Sequence, residues 1–208
     1  MQIIEITEVD KKRVRITLEA PVSRQDNTAS FVLYKREVKT YGLEEGGELA
    51  ALVYQEIRDE ILVKRAKKRA MHLLEKMDRT ESSLRMKLKQ NYYGEDIIDE
   101  AIAYVKKYGY IDDQRYAGNY VRFQSERKSK TQIKIDLIQK GIDKEMIALA
   151  IEEEYKEGND YKLIERWIEK KRYDKETADL KEKQKIYQFL LRKGFCHDDI
   201  LYVLDHLT

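Results

Sequence analysis

A segment of eleven residues occurs twice in this chain, as LIQKGIDKEMI at 137–147 and as LLRKGFCHDDI at 190–200. The apolar positions of the two copies coincide at a constant offset of 53 residues. An earlier stretch with Leu84, Leu88 and Ile98 has the same apolar spacing, 49 residues before the first copy. Repeats of this length cannot bury an apolar face alone and therefore stack on one another. The sequence predicts three related helical modules.

Each module has a predicted corner between its second and third helices. Lys140 would lie in the last turn of a helix, and Gly141 can adopt the left-handed conformation that closes it. Asp143 is then the expected N-cap of the next helix. The Lys-Gly pair is therefore interpreted as a structural turn rather than a phosphate-binding loop. Module one has no such pair, and we expect Asn91 or Gly94 to supply its left-handed residue.

The first forty residues differ from the rest of the chain. The segments QIIEITEV, RVRITLE and ASFVLYKREV are rich in β-branched residues, and RVRITLE alternates apolar and polar side chains. This pattern predicts a small antiparallel meander of two or three strands. After Gly47 we expect helices only, and the first of them carries an apolar stripe. That stripe comprises Leu49, Leu52, Val53, Ile57 and Ile61.

The predicted fold class is mainly α. Three tandem three-helix repeats form an elongated curved array, with a small antiparallel β meander at the N-terminus. We expect the chain to divide into four segments. They are residues 1–63 with the meander and a linking helix, 64–111 with repeat one, 112–159 with repeat two and 160–208 with repeat three.

Composition narrows the class of protein further. Of the 208 residues, 38% are charged, and no apolar run is long enough to span a membrane. The N-terminus has no basic leader followed by an apolar core, so we expect no secretion signal. Cys196 is the single cysteine, which excludes an internal disulfide and favours the cytoplasm.

Charge is unevenly distributed although the net charge is only +2. Basic segments alternate with acidic ones, in phase with the repeat. The net charges are +7 for 64–93, −3 for 94–121, +4 for 122–141, −5 for 142–165, +5 for 166–194 and −3 for 195–208. Such runs are often only solvated faces. Three in phase favour a positive stripe that suits a phosphate backbone or an acidic protein groove.

The sequence contains no motif for a common catalytic chemistry. It has neither a phosphate-binding G-x-x-x-x-G-K-[ST] loop nor a dinucleotide-binding G-x-G-x-x-G. The three histidines, His72, His197 and His206, have no zinc-ligand spacing. Asp112, beside Asp113, is expected to cap a helix rather than bind a metal. We therefore expect a binding protein without cofactor or catalytic residues. Five tyrosines at helical spacing are expected in the core rather than as base-stacking residues: Tyr92, Tyr93, Tyr110, Tyr116 and Tyr120.

The motifs MHLLEKMDRTESSLRMKL, YGYIDDQRYAGNYV, LIQKGIDKEMI and YQFLLRKGFCHDDI, in this order, resemble the RecX family of recombination regulators. The resemblance covers roughly residues 64–208. It implies a curved array without enzymatic activity that binds the RecA filament and modulates it, generally by lowering ATP hydrolysis and strand exchange. The implied partners are RecA and, in addition, single- or double-stranded DNA. We expect a monomer.

Matching the family motifs places basic site residues at Arg79 and Arg85 in module one, at Lys140 in module two and at Lys193 in module three. The charge pattern adds further members. The predicted basic stripe comprises Arg79, Arg85, Lys87, Lys89, Lys128, Lys130, Lys134, Lys140, Lys170, Lys171, Arg172, Arg192 and Lys193.

Two other functions stay open at this point. The modules could bind DNA directly as helix-turn-helix-like units, or the chain could be a scaffold unrelated to nucleic acid. Recognition helices usually begin with Arg, Asn or Gln, whereas the third helices here begin with GEDIIDE, DKEMIAL and HDDILYV. Their acidic residues favour the filament regulator over a direct reader of DNA. The phased basic segments argue against the scaffold.

Overall fold

The structure is a computed structural model that describes the chain except residues 20–27, residues 207–208 and the side chain of Thr28. The predicted segments 1–63 and 160–208 include some of these residues, and those parts of the prediction lie outside the described residues. The chain forms two compact units, Met1–Ile111 and a second that begins at Asp112. The finer division into four segments, which the sequence predicts, remains a proposal.

The N-terminal residues form an antiparallel sheet of three strands in sequential order, which confirms the predicted meander. The strands are β1 (Ile3–Glu8), β2 (Arg13–Glu19) and β3 (Thr28–Tyr34). Alternation along β2 sends Ile16 and Leu18 into the core, where both are fully buried. The intervening arginines of β2 therefore lie on the opposite face of the sheet.

The third strand ends earlier than the sequence indicated. The prediction extended it through the KREV segment, but α1 (Lys35–Thr40) begins directly after Tyr34. The Glu37 carboxylate accepts a hydrogen bond of 2.8 Å from the backbone N–H of Tyr34 and so satisfies a donor at the start of the helix. This local cap outweighs the strand preference of Val38.

A continuous helical run links the sheet to the first module. It comprises α2 (Ala51–Glu56), a π-helical segment (Ile57–Val63) and α3 (Lys64–Lys76). A π turn contains more residues than an α turn, so the residues that face the core are spaced differently along this segment. The buried residues are the first one, Ile57, and the last two, Leu62 and Val63. The prediction that Leu52 belongs to the buried stripe is wrong, because its side chain is 85% exposed.

Three three-helix modules follow, and in each one the third helix packs against the first two. Module one contains α3, α4 and α5, module two contains α6 to α8, and module three contains α9 to α11. No helix in the described part of the chain is both long and apolar enough to cross a membrane. The remaining bounds are α4 (Glu81–Lys89), α5 (Glu95–Lys107), α6 (Asp113–Gln124), α7 (Lys130–Gln139), α8 (Lys144–Glu154), α9 (Asn159–Lys170), α10 (Leu180–Arg192) and α11 (His197–His206).

The repeated apolar positions form the core of every module, as predicted. All twelve are at most 5% exposed. Because equivalent positions are buried in all three modules, the repeat in the sequence is a repeat of packing. The positions are Leu84, Leu88, Ile98 and Ile102 in module one, Ile133, Leu137, Ile147 and Ile151 in module two, and Ile186, Leu190, Ile200 and Leu204 in module three.

The corners between second and third helices share one backbone geometry. The left-handed residue is Gly141 in module two and Gly194 in module three, with φ of 78° and 84°. The residue after it returns its N–H to a carbonyl five positions earlier, as Ile142 does to Leu137 at 3.2 Å. This bond and its apolar contact define a Schellman motif. The predicted role of the Lys-Gly pairs as helix corners is confirmed.

Module one makes the same corner with a tyrosine. Tyr92 has a φ of 68°, whereas Gly94 has a φ of −68° and is the N-cap of α5. The expectation that Asn91 or Gly94 supplies the left-handed residue is therefore wrong. Asn91 instead donates its side-chain amide to the Lys87 carbonyl at 2.7 Å. The left-handed conformation costs a side-chain-bearing residue about 1–2 kcal/mol, and contacts of the Tyr92 ring with Arg15 help to offset that cost.

Predicted helix caps are also present. Asp112 accepts a hydrogen bond of 2.9 Å from the backbone N–H three residues further on, and Asp143 accepts one of 2.8 Å from the N–H two residues further on. In module three the Cys196 sulfur takes this place and accepts from the backbone N–H of Asp199 at 3.3 Å. Capping therefore accounts for the aspartates at 112 and 143.

The sheet and module one share a single hydrophobic core. Leu33 of β3 and Ile16 of β2 belong to the same buried cluster as Leu84 and Ile98 of the module. Modules two and three each have a core of their own. The first unit is therefore held together by burial across the sheet and the helices.

Candidate functional site

The lysine of each Lys-Gly corner lies over an aromatic ring of the first helix in its module. The Lys140 ammonium is 5.4 Å from the centroid of Tyr120, and the Lys193 ammonium is 4.8 Å from that of Trp167. Tyr120 and Trp167 each directly precede a buried aliphatic residue on α6 and α9, so they occupy equivalent places. A cation over an aromatic face is stabilised by about 0.5–1 kcal/mol at an exposed site. The corner thus presents a positive charge in a fixed position.

Module three extends this arrangement into a patch, here called the corner patch, of Trp167, Lys170, Lys171, Phe189 and Lys193. The two rings meet edge to face, with centroids 5.3 Å apart and an interplanar angle of 70°. Lys170 lies 5.0 Å from the Trp167 ring, and Lys171 lies 4.7 Å from the Phe189 ring. The structure therefore brings together three of the predicted basic residues around one aromatic pair.

A groove of about 430 Å³ continues from the corner patch. Arg172 and Arg192, both predicted as site residues, line it together with Phe189. The carboxylates of Asp174 and Glu182 also line the groove, so it is a mixed surface with excess positive charge. All five basic residues predicted in module three thus lie in the corner patch or in this groove.

In module two, Lys128 is bound internally. Its ammonium lies 2.6 Å from the Asp136 carboxylate, which also accepts a hydrogen bond of 2.8 Å from the Tyr120 hydroxyl. The hydrogen bond to Asp136 raises the pKa of Lys128. Burial alone would raise the pKa of Asp136, but the hydrogen bonds from Lys128, Gln132 and Tyr120 lower it. Lys128 and Asp136 therefore hold the Tyr120 ring in place beneath Lys140, and Asp136 compensates the charge of Lys128.

Basic residues predicted in module one also have internal partners. Arg85 contacts Glu81 and Asp99, each at 2.7 Å, and Glu81 is in addition bound by Lys106. The hydrogen bond to Glu81 is the largest cause of the raised pKa of Arg85. Lys89 lies 2.8 Å from a carboxylate of α5. These cations join α4 to α5.

The remaining predicted residues are spread over the surface. Arg79 donates to the Leu73 carbonyl at 3.4 Å, near the end of α3. Lys87 donates to the Gln90 side chain at 3.1 Å. On α7, the side chains of Lys130 and Lys134 are exposed. The thirteen predicted residues therefore form one dense group in module three and scattered positions elsewhere in the described structure.

The module three corner also fixes modules two and three to each other. The buried Ser129 hydroxyl donates to the Lys193 carbonyl at 2.8 Å and accepts from the Gln132 N–H at 3.2 Å. A Cβ added to Gly194 would lie 2.8 Å from that Ser129 oxygen. The corner glycine therefore permits a close approach that no other residue type allows.

Asp160, at the start of α9, completes this junction. It accepts a hydrogen bond of 2.7 Å from the Tyr155 hydroxyl and one of 3.3 Å from the backbone N–H of Lys130. Burial raises the pKa of Asp160, and burial together with the Asp160 hydrogen bond raises the pKa of Tyr155. Modules two and three are thus joined by polar contacts, most of them half-buried, that the sequence did not indicate.

The sequence did not indicate two aromatic residues of the corner patch. Trp167 is the only tryptophan of the chain and Phe189 one of four phenylalanines, and neither was singled out. Their positions beside KKR at 170–172 and RK at 192–193 could have indicated the patch. The five tyrosines that were expected in the core differ in their burial. Tyr93, Tyr116 and Tyr120 pack against the cores, whereas Tyr92 and Tyr110 are 41% and 46% exposed.

Family models match all three modules. Residues 66–104 match the first three-helix domain of RecX, residues 112–151 the second and residues 159–204 the third. Together these matches cover more than half of the chain. Their order and limits agree with the helices described above.

Whole-chain comparisons give the same result. Regulatory protein RecX of Clostridium acetobutylicum is 30% identical over 98% of this chain and 94% of its own length. The RecX protein of Caldanaerobacter subterraneus is 32% identical over 74% of this chain and 76% of its own. A crystal structure of regulatory protein RecX covers 99% of both chains, with a TM-score of 0.63 and 25% identity. That of RecX from Lactobacillus salivarius covers 70% of this chain and 96% of its own, with a TM-score of 0.60 and 28% identity. The relatives from Clostridium acetobutylicum and Caldanaerobacter subterraneus and the first crystal structure are named regulatory protein RecX. The chain described here belongs to the RecX family.

Proposed function

We propose that this protein regulates homologous recombination by binding the RecA–DNA filament and lowering its ATP hydrolysis and strand exchange, without catalysis of its own. The proposal follows from membership of the RecX family. The observation that supports it most is the repeated corner, in which a lysine is held over an aromatic ring in module two and again in module three. A filament repeats its subunits, and repeated contact points on one chain suit such a partner.

The expected mechanism is multivalent. Each corner offers a small contact of modest strength. Once one module is bound, the others face their sites at a high effective concentration, so weak contacts sum to strong binding. The protein need not touch the nucleotide of RecA, because it only has to bind one filament conformation better than another.

Charge compensation distinguishes the basic residues that support the proposal most from those that support it least. Lys170, Lys171 and Lys193 surround two half-buried aromatic rings, and within the described residues none of these lysines has a carboxylate partner. Arg85 and Lys89 compensate acidic side chains within module one. We therefore propose the corner patch as the main contact of module three and assign the paired cations of module one a mainly structural role.

Direct binding to DNA is the second candidate function. The basic and aromatic character of the corner patch favours it, because rings beside cations bind single-stranded nucleic acid without sequence preference. The third helices disfavour a helix-turn-helix mode, since α5 and α11 each carry two acidic residues in their first turn, as Glu95, Asp96, Asp198 and Asp199. Any DNA contact is therefore expected at the corners rather than through a recognition helix.

Co-sedimentation with cognate RecA distinguishes the two functions. We expect this protein to pellet with RecA assembled on single-stranded DNA in the presence of an ATP analogue, and to pellet less when any component is left out. Lys140→Gln with Lys193→Gln should weaken that binding, whereas Arg85→Gln with Lys89→Gln is the matched control with the same loss of charge. Equal binding to DNA with and without RecA would support the second candidate and reject the first.

A further inference from the structure

A second basic site lies far along the sequence from the corner patch, within the first unit. Here the N-terminal sheet, α3 and the module one corner enclose a cleft of about 430 Å³, which we call the N-terminal cleft. Side chains from each of these elements line it. The lining residues are Arg13, Val32, Tyr34, Arg65, Lys68, Arg69, His72, Asn91, Tyr92 and Tyr93.

The charge of the N-terminal cleft is positive, and none of its lining residues is a carboxylate. Arg13 is compensated from outside the lining by Asp10 at 2.7 Å, and Arg65 by Glu37. Lys68 has no acidic partner among the described residues, and its side chain is exposed. An uncompensated cation in a concave site attracts anions, because the surrounding surface excludes water on several sides.

Arg69 also lines the cleft, and no carboxylate of the described residues forms an ion pair with it. Its Nε is buried and, within the part of the chain that the structure describes, has no hydrogen-bond partner. A buried donor of a charged group is costly to leave without a hydrogen-bond partner. Guanidinium groups bind phosphate oxygens with short, charge-assisted hydrogen bonds. Because protein atoms enclose the Nε itself, an anion in the cleft would bind the part of the Arg69 side chain that lines the cleft and not the Nε.

The walls of the cleft suit an organic group attached to the anion. Tyr92 and Tyr34 are both partly exposed, and each has an arginine over its ring, with Arg65 lying 4.7 Å from the Tyr34 centroid. Val32 and the half-buried Tyr93 add apolar surface. The volume of the cleft is in the range of small-molecule sites.

We propose that the N-terminal cleft binds a phosphorylated ligand of nucleotide size, with its phosphate oxygens at Arg69 and Lys68 and its organic part against the tyrosines. The site is formed jointly by the N-terminal sheet and module one, so it gives the sheet a binding function beyond stability. The inference does not depend on the proposed regulation of RecA.

The test is isothermal titration calorimetry of the full chain at low salt with pyrophosphate, ADP, adenosine and an oligo(dT) strand. Pyrophosphate and ADP should bind, and adenosine, which lacks phosphate, should not. Arg69→Gln should weaken ADP binding by at least about ten-fold, and the exposed Lys68→Gln by about three-fold, because each removes a charge-assisted contact.

Lys107→Gln is the matched control for charge, since Lys107 is exposed on α5 and lies outside the cleft. Should Arg69→Gln not fold, Lys68→Gln alone decides the question. Absence of pyrophosphate and ADP binding, or binding that both cleft variants leave unchanged, would overturn the proposal. Binding of the oligo(dT) strand alone would overturn it as well, in favour of an extended polyanion surface.

Discussion

At the residue scale, Lys193 has two separate roles in the structure. Its ammonium lies over Trp167 and Phe189, and its carbonyl accepts the Ser129 hydrogen bond that joins modules two and three. A side-chain substitution removes the first contact and keeps the second. The position therefore allows the cation–π contribution to be measured apart from the backbone junction.

Lys193→Gln should lower the free energy of unfolding by about 0.5–1 kcal/mol, because it removes one of the three cations that lie over the two rings. The emission of Trp167, the single tryptophan, reports the unfolding of module three directly. Lys134→Gln is the control, as an exposed surface substitution of the same type, and should stay within about 0.5 kcal/mol of the parent. Equal stability of both variants would show that the ring contact contributes nothing.

At the scale of elements, the close approach of Gly194 to α7 can be tested by comparing two glycines. Both Gly109 and Gly194 have a positive φ, but a Cβ added at Gly109 meets nothing within 4 Å, whereas one at Gly194 meets Ser129 at 2.8 Å. Gly109→Ala should cost about 1–2 kcal/mol for the left-handed backbone alone. Gly194→Ala should cost about 1–3 kcal/mol more for the overlap, as measured by urea unfolding. Equal costs would contradict the described junction.

The junction also predicts a pH dependence. The pKa of Asp160 is raised in the folded state, so the folded protein holds this proton more tightly than the unfolded chain does. Its contribution to stability is present below the unfolded pKa of about 3.9 and is lost as pH rises through the folded pKa. The groups that face Asp160 are Tyr155, Lys130 and Asp199.

Asp160→Asn removes this titration. The unfolding free energy of the parent relative to Asp160→Asn should therefore fall as pH rises from about 3.5 to 7, as measured by urea unfolding of both proteins at each pH. A difference that is constant, or that grows with pH, would show that burial does not raise the pKa of the Asp160 carboxyl.

The elements show what sequence could and could not predict. Leu84, Ile133 and Ile186 were placed in the core correctly, because a repeated apolar frame constrains packing in every copy. The left-handed Tyr92 was not foreseen, since local propensity favours Asn or Gly there and the contacts that favour the tyrosine come from the distant Arg13 and Arg15. Pairing of basic residues with acids on neighbouring helices depends on tertiary distances, so the charge pattern could not separate compensated cations from those of the corner patch.

At the scale of the whole molecule, the shared core predicts that the sheet and module one unfold together. Leu33→Ala, at a fully buried position of β3, should cost about 2–5 kcal/mol and lower the stability of the helices of module one as well. Ile4→Ala, at a 47% exposed position of β1, is the control and should have a much smaller effect. Helical circular dichroism during denaturation measures both. An unchanged helical transition in Leu33→Ala would contradict a common core.

The central claim is that the repeated corners bind a RecA filament and lower its rate of ATP hydrolysis. The most direct measurement is the rate of ATP hydrolysis by cognate RecA on single-stranded DNA as this protein is added. The rate should fall to a plateau, and the protein alone should hydrolyse no ATP. Lys140→Gln with Lys193→Gln should raise the concentration for half-inhibition by about ten-fold, since two contacts of about 0.7 kcal/mol are lost. An unchanged RecA rate at saturating protein would contradict the claim.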